Sequence, residues 1–290
     1  MKKIFILMPV YNDWKSLIKL LEEIDLKIDN LKDFQFECLI VNDCSSLKIP
    51  KIIKPKNLVK LTLVNMNKNQ GHARCNATGL RFINDKKEFD YVIVMDSDGE
   101  DRPIEILDMI EKIKKEPMTS VVAKRIKRSE GFFFRSLYNI HKFITFLLTG
   151  KNINFGNYSC LTKNDVNLIA QKSSLWSSFS GTIKKYVKKF NEINSTRGIR
   201  YFGPSKMSLI NLILHSFSII AVFKYTVLIR STFLIIILSL LFKTLGLIVI
   251  FFQICIVIFN LLIFFISFRE NKEKLLKSFE IIASEENVTQ

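Results

Sequence analysis

The sequence predicts an α/β domain on a mostly parallel sheet, followed by a membrane-embedded helical hairpin. Three observations carry this reading. Short apolar runs alternate with helical patterns up to about residue 205. Polar residues close each of the early apolar runs. Two long apolar segments follow residue 224. Strands are expected at 4–10, 36–43, 59–65, 91–96 and 119–124, where β-branched and aromatic residues concentrate. Helices are expected at 14–31, 71–84 and 103–115, the last opened by Pro103 at a favoured first-turn position. Strand, helix, strand at this spacing argues for helices on both faces of the sheet. Ligands of such sheets sit beyond the carboxyl ends of the strands. Here those ends carry Asn12 and Asp13, Asn42 and Asp43, Asn67 and Asn69, Asp96 and Asp98.

Composition narrows the class. The 290 residues are 48% hydrophobic and 24% charged, with a net charge of +16 and a mean hydropathy of +0.19. A disordered acidic chain, a collagen-like repeat and a disulfide-stapled mini-domain are excluded. Cys38, Cys44, Cys75, Cys160 and Cys255 are scattered and read as reduced, mostly core thiols. The opening MKKIFILMPVYND has too short an apolar run for a secretory signal and reaches Pro9 without a cleavage site. It is read as a buried strand of a domain that starts in the cytosol.

The apolar segments 225–242 and 245–268 would extend roughly 27 and 36 Å as helices, against a hydrocarbon core of about 30 Å. Arg230 falls in the first two turns of the first and is expected to snorkel to the headgroups. Lys224, Arg230, Arg269, Lys272, Lys274 and Lys277 flank the outer ends, while Lys243 alone lies in the turn. Positive-inside logic places both flanks in the cytoplasm, in a multi-pass protein of the cytoplasmic membrane. The expected organisation is a cytosolic domain over 1–206, with a possible interfacial helix at 131–150. A juxtamembrane helix over 207–224, two membrane helices over 225–268 and a cytosolic tail over 269–290 complete it. The basic residues cluster beside apolar spans, which argues against nucleic-acid binding.

The chemistry concentrates at VMDSDGEDRP (94–103). Asp96, Asp98 and Glu100 leave an apolar strand in alternation, a pattern that suits Mg²⁺ or Mn²⁺ with open positions for phosphate oxygens. In MPVYND, Pro9 shapes a turn, Tyr11 offers a ring to a base, and Asp13 accepts from a base or ribose. Asp43 in VNDCSS suits a uracil edge or a ribose hydroxyl. In NKNQGHARCNATG (67–79), Gly71 lets backbone approach a ligand, and His72 is read as a local hydrogen-bonding residue rather than a base. No G-x-G-x-x-G turn follows the first strand, which excludes a nicotinamide dehydrogenase.

In this order and spacing PVYND, VNDCSS, NQGHARCNATG and DSDGED resemble glycosyltransferase family 2. The resemblance implies the nucleotide-diphospho-sugar transferase fold of the GT-A type. VVAKR (121–125), FRSLYNIHKFITFLLTG and RYFGPSK (200–206) resemble the polyprenyl-phosphate branch, with its dolichyl-phosphate mannose synthases and bacterial undecaprenyl-phosphate glucosyltransferases. It implies that Pro9, Tyr11, Asp13, Asp43, Gly71 and Asp96 bind the donor nucleotide. Asp96, Asp98 and Glu100 would hold the metal, and Arg125, Arg135, Arg200, Ser205 and Lys206 the phosphates. Asp98, Arg125 and Asn157 would stand at the reacting centre. Relatives often carry Asp where this chain has Asn154 and Asn157, neither of which can serve as a general base. A phosphate monoester, dianionic near pH 7 by analogy with phosphorylated side chains, needs none.

The expected function is inverting, metal-dependent transfer of a sugar from a nucleotide donor, a UDP-sugar favoured, to a polyprenyl phosphate at the cytosolic leaflet. The alternatives are a family 2 transferase for another glycan or lipid acceptor, and a catalytically degenerate sugar-nucleotide binding protein. A processive transferase would carry Q-x-x-R-W, whereas Trp176 lies in QKSSLW with Leu where that Arg belongs. The sugar and the oligomeric state stay open.

Overall fold

The computed structural model describes residues 1–127, 132–204 and 208–288. Its centre is one eight-stranded sheet in the order β7-β5-β6-β4-β1-β2-β3-β8. Strands β1 (Lys2–Val10), β2 (Phe34–Asn42), β3 (Leu58–Met66) and β4 (Tyr91–Val94) are mutually parallel where they pair. β1 lies inside the sheet and is buried on both faces from Ile4 onward, hence its near-continuous apolar run. Successive side chains alternate across it. Ile4, Ile6 and Met8 pack with helices α1 (Trp14–Ile28) and α3 (Glu105–Lys115), and Phe5 and Leu7 with α2 (His72–Lys86). Val10 pairs with Asn42 and Asn42 with Asn65, so these strands end level and their closing loops share one edge.

The sheet is more mixed than expected. β6 (Phe155–Thr162) runs antiparallel between β4 and β5 (Ser120–Lys127), and β7 (Phe190–Thr196) pairs parallel with β5. Helix α4 (Phe132–Thr149) precedes β6. Helix α5 (Lys163–Ile169), a 3-10 turn at Ser173–Trp176 and helix α6 (Phe179–Tyr186) lie between β6 and β7. Neither β6 nor β7 is expected from sequence. FGNYSCLT and FNEINST alternate weakly, and their place is decided by the ladder they join.

Helix α7 (Leu209–Ala221) meets α8 (Lys224–Leu240) at a bend of 84°. A short turn α9 (Phe242–Leu245) leads into α10 (Leu247–Ser267). Among the described residues α10 alone is long and apolar enough to cross a membrane, and α7 with α8 meets the same test only as a bent pair. Side-chain hydrogen bonds join α8 to α10: Ser231 Oγ to Asn260 Oδ1 at 3.0 Å and Gln253 Nε2 to Ser239 Oγ at 2.8 Å. Arg230 does lie in the first two turns of α8. Its guanidinium, however, donates to the Leu147 carbonyl at 3.0 Å, at the carboxyl end of α4.

The expected tail is part of the domain. Helix α11 (Lys272–Leu276) and β8 (Ile282–Asn287) follow α10, and β8 closes the sheet antiparallel to β3. IASEEN looks like polar tail because it is an edge strand whose side chains mostly face water. Arg81 of α2 secures the connection. Its guanidinium donates to the carbonyls of Leu275 and Leu276 and to Ser278 Oγ, the last two at 2.7 and 2.9 Å. Replacing Arg81 by Ala leaves those acceptors unpaired, the ones at Leu275 and Ser278 buried, and should cost about 2 kcal/mol. Urea denaturation should show that loss, and limited proteolysis should show faster cleavage between residues 277 and 288 with α1–α3 intact.

Candidate active site

The loops at the carboxyl ends of β1, β2 and β4 are tied to one another. Asn12 and Cys44 both adopt positive φ, at 53° and 55°. Asn12 compensates with three hydrogen bonds to the β2 loop: its N–H to Ser45 Oγ, its Nδ2 to Ser46 Oγ, and its Oδ1 from the Leu47 N–H. Ser97 Oγ donates to the Pro9 carbonyl at 2.7 Å, fastening the acidic loop to β1. Tyr11 stands 41% exposed at the rim, free to meet a flat ligand.

Asp43 is engaged within the fold itself. It is buried, and its two carboxylate oxygens accept from the Gln70 and Gly71 N–H groups at 2.6 and 2.8 Å. Gly71 can offer its N–H there because it adopts φ 88°, which other residues resist. Asp43 therefore builds the loop over residues 67–71.

After β4 the acids diverge. Asp96 Oδ1 lies 3.2 Å from His72 Nε2 and accepts from Asn157 Nδ2 at 3.3 Å. His72 Nε2 is also 2.7 Å from Asn157 Nδ2 and 3.0 Å from Asn76 Nδ2. Asp98 accepts from the Glu100 N–H at 3.0 Å and from Arg200 Nη1 at 2.6 Å, while Arg200 Nη2 pairs with Asp13. Glu100 pairs with Arg197. Gly99, at φ 91°, turns the chain between Asp98 and Glu100, and a Cβ there would strike the Tyr201 ring at 2.5 Å. That turn separates the third acid from the first two. Among the described residues no three His, Cys, Asp or Glu side chains gather around one point as metal ligands. The expected three-carboxylate cluster of Asp96, Asp98 and Glu100 is therefore not assembled; each acid has its own cation.

The electrostatics follow from crowding. Burial and the charge of Asp96 push the Asp98 carboxyl up to about 6. Burial also raises Asp96, yet the facing His72 and Arg125 outweigh it and hold the group well below the usual carboxylate range. Burial works against a charged His72, but Asp96, Asp101 and Asp98 together raise its pKa. The hard carboxylate oxygens of Asp96 and Asp98 fit a divalent cation held by one or two carboxylates, the rest of its shell coming from oxygens of a ligand.

The other expected residues are placed as follows. Arg125 lies over Gly156, and its N–H donates to the Asn154 carbonyl at 3.1 Å. Asn157 joins Asp96 at the site's centre. Trp176 is buried against α2, with Arg74 5.9 Å from its ring centre, and serves the core. Ser205 and Lys206 lie outside the described residues, as does the side chain of Arg135. Sequence reasoning missed His72 and Asn157 as partners of Asp96, and Arg197 as the partner of Glu100. The one available signal was the spacing of Arg197 and Arg200 in TRGIR, which lets one short segment answer two acids.

The family model for glycosyl transferase family 2 matches residues 5–179. The chain belongs to that family. Two relatives are similar over 73% of the chain, both undecaprenyl-phosphate 4-deoxy-4-formamido-L-arabinose transferases. The one from Photorhabdus laumondii is 26% identical over 221 residues and that from Serratia proteamaculans 27% identical over 224 residues. The family 2 chain spans 65% of the length of each. Among solved structures, glucosyl-3-phosphoglycerate synthase from Mycobacterium tuberculosis, in complex with Mn²⁺, UDP-glucose and phosphoglyceric acid, superposes with a TM-score of 0.53. It does so at 14% identity over 78% of this chain and 80% of that one. The GT-A fold expected from the motifs is thereby the fold observed.

The buried Asp101 behind this family 2 site offers a test of the crowding. Its Oδ2 accepts from the Asp96 N–H at 2.9 Å, and burial with the Asp96 charge raises its pKa to about 8. The unfolded chain releases this proton near 3.8, so between there and about 8 the folded chain holds more protons and loses stability as pH rises. Asn at this position keeps an acceptor and does not titrate. In chelator, the melting temperature of Asp101→Asn minus that of the parent should widen from pH 5 to pH 8 and then level off.

Proposed function

We propose that this family 2 member is a membrane-anchored, inverting, metal-dependent transferase that moves a sugar from a nucleotide-diphosphate donor, with a UDP-sugar favoured, to a polyprenyl phosphate. One observation carries the reading. Arg200, held between Asp13 and Asp98, sits on the segment that runs directly into the juxtamembrane helix α7. His215 of α7 is close enough to His72, Asp96 and Arg125 to feel their charges. The acidic loop thus lies within electrostatic reach of the helix that leads into the apolar segments, where a lipid phosphate would present its headgroup. The relatives' names, which specify undecaprenyl phosphate, support the same acceptor.

The residues suit a phosphate nucleophile. His72 Nε2 is engaged by Asp96, Asn157 and Asn76, and Asn157 cannot take a proton. No described group at the centre is therefore free to deprotonate a hydroxyl, and a phosphate dianion has no need of one. Arg125 and Arg200 would orient the two anionic partners toward one another, and attack opposite the leaving diphosphate inverts the anomeric centre. Asp98, with Asp96, would hold a Mg²⁺ or Mn²⁺ ion. Bound there, such an ion supplies positive charge to the departing diphosphate.

The acceptor decides between this reading and its rivals. With a panel of nucleotide sugars, mass spectrometry should show transfer to undecaprenyl phosphate, none to undecaprenol, and none in excess chelator. Arg200→Ala should lower kcat/KM at least about tenfold, roughly 1.4 kcal/mol. Equal use of the alcohol would overturn the lipid-phosphate acceptor, and binding of a donor without any turnover would point to a degenerate binding protein.

Topology is a separate test. The chain leaves the domain at α7 and returns to it through α11 and β8, so the segment between must enter and leave a membrane on the same face. In a background lacking the exposed Cys44 and Cys255, Cys placed at Ala283 should react only from the cytoplasmic side and Cys at Thr244 only from the opposite one. Reaction of both from the cytoplasm would mean that the hairpin dips into the bilayer without crossing it.

A further inference from the structure

Four lysines outside the donor site converge on a second cavity. It has a volume of about 350 Å³ and is lined by Lys151, Lys184, Val187, Lys188, Lys189 and Phe190. Phe190 forms an apolar wall, packed edge-on against Phe155 and covered by Lys184 Nζ at 5.0 Å from its ring centre. β7 separates this cavity from the Arg197–Arg200 segment by seven residues, roughly 20 Å at the rise of a strand, so the two sites are distinct.

The cavity carries more cations than the acids beside it can answer. Glu116 pairs with Lys189 at 3.1 Å, and Glu192 is shared between Lys124, at 3.1 Å, and the field at Lys184. Among the described residues Lys151 and Lys188 have no carboxylate partner. Burial, with the like charge of Lys151, lowers the pKa of Lys184 against the pull of Glu192. Such a cluster favours a multiply hydrogen-bonding anion, and phosphate is the common one.

Its place in the fold points to the source of that anion. Lys151 follows the carboxyl end of α4, where Arg230 of α8 donates to Leu147. Lys185, next to Lys184, donates to the Val222 carbonyl at 2.6 Å, at the bend between α7 and α8. Both sides of the cavity are thus clasped to the helix that enters the apolar hairpin. The last turns of α4 expose Ile140, Phe143, Phe146 and Leu147, an apolar face that ends one turn before Lys151. Apolar residues leading into a basic cavity suit a headgroup phosphate whose acyl chains lie along α4.

We propose that the cavity formed by Lys151, Lys184, Lys188 and Lys189 binds the headgroup phosphate of an anionic glycerophospholipid, separate from the acceptor lipid. The site orients the catalytic domain against the bilayer, holding the donor pocket at headgroup depth. The inference rests on the membrane-anchored reading above.

Titration of the detergent-solubilised full chain with phosphatidylglycerol, read by native mass spectrometry against phosphatidylcholine, tests it. The parent should retain one phosphatidylglycerol selectively. The Lys184→Gln/Lys188→Gln variant should bind it about thirtyfold more weakly, and Lys151→Gln by a smaller factor in the same direction. Lys32→Gln/Lys56→Gln, the same change of charge at the amino ends of β2 and β3, should bind like the parent. Circular dichroism and donor binding should be unchanged in all of them. Parent-like binding by the cavity variants, an equal loss in the Lys32/Lys56 control, or retention of inorganic phosphate with no selective retention of phosphatidylglycerol would each overturn the proposal. Failure of the membrane reading would show differently, as a chain that stays soluble without detergent or lipid.

Discussion

Asp96, Asp98, Glu100 and Asp101 crowd the carboxyl end of β4 within six residues, and every one of them is at least partly buried. Carboxylates packed this closely cannot all ionise in a low dielectric unless cations reach them. The fold brings those cations from far along the chain: His72 from the start of α2, Arg125 from the end of β5, Arg197 and Arg200 from the segment after β7. These charges draw the start of α2, the end of β5 and the segment after β7 toward the end of β4. The acidic turn is therefore the point at which separate elements of the fold are tied together.

The same logic explains why the acidic loop and the apolar helices belong to one unit. The segment that neutralises Asp98 and Glu100 precedes α7 in the chain, and His215 of α7 feels the charges of His72, Asp96 and Arg125. On the other side, Arg81 grips the carbonyls after α10 and returns the chain to the edge of the sheet as β8. The apolar hairpin is thus anchored at both ends to the domain it serves. Lys185 and Arg230 add two clasps in which a cation meets the carboxyl end of a helix, a favourable use of the helix dipole.

Local pattern carried much of this architecture. β1 to β5 and α1 to α3 fall where apolar runs and helical periodicity place them, because buried parallel strands and amphipathic helices advertise themselves. The site loops were legible as polar residues closing strands. Less legible were β6, β7 and β8. FNEINST and IASEEN have little hydrophobic signal of their own, since strands at a sheet edge face water on one side or both. FGNYSCLT is buried between β4 and β5, yet its small and polar residues hide that from the sequence.

By itself, then, the sequence determined the family, the parallel core of the sheet and the apolar character of residues 225–268. Those properties follow from residue type and near-neighbour spacing. Only the tertiary structure decided which partner each charge meets. Asp43 became a staple for the loop over 67–71, and Glu100 turned to Arg197 instead of joining Asp96 and Asp98. Asn157 came to face His72 and Asp96, and the polar tail closed the sheet. The physical reason is the same in each case. A buried charge or an unpaired strand edge takes whatever complementary group the fold brings within about 3 Å, and that group lies far away in sequence.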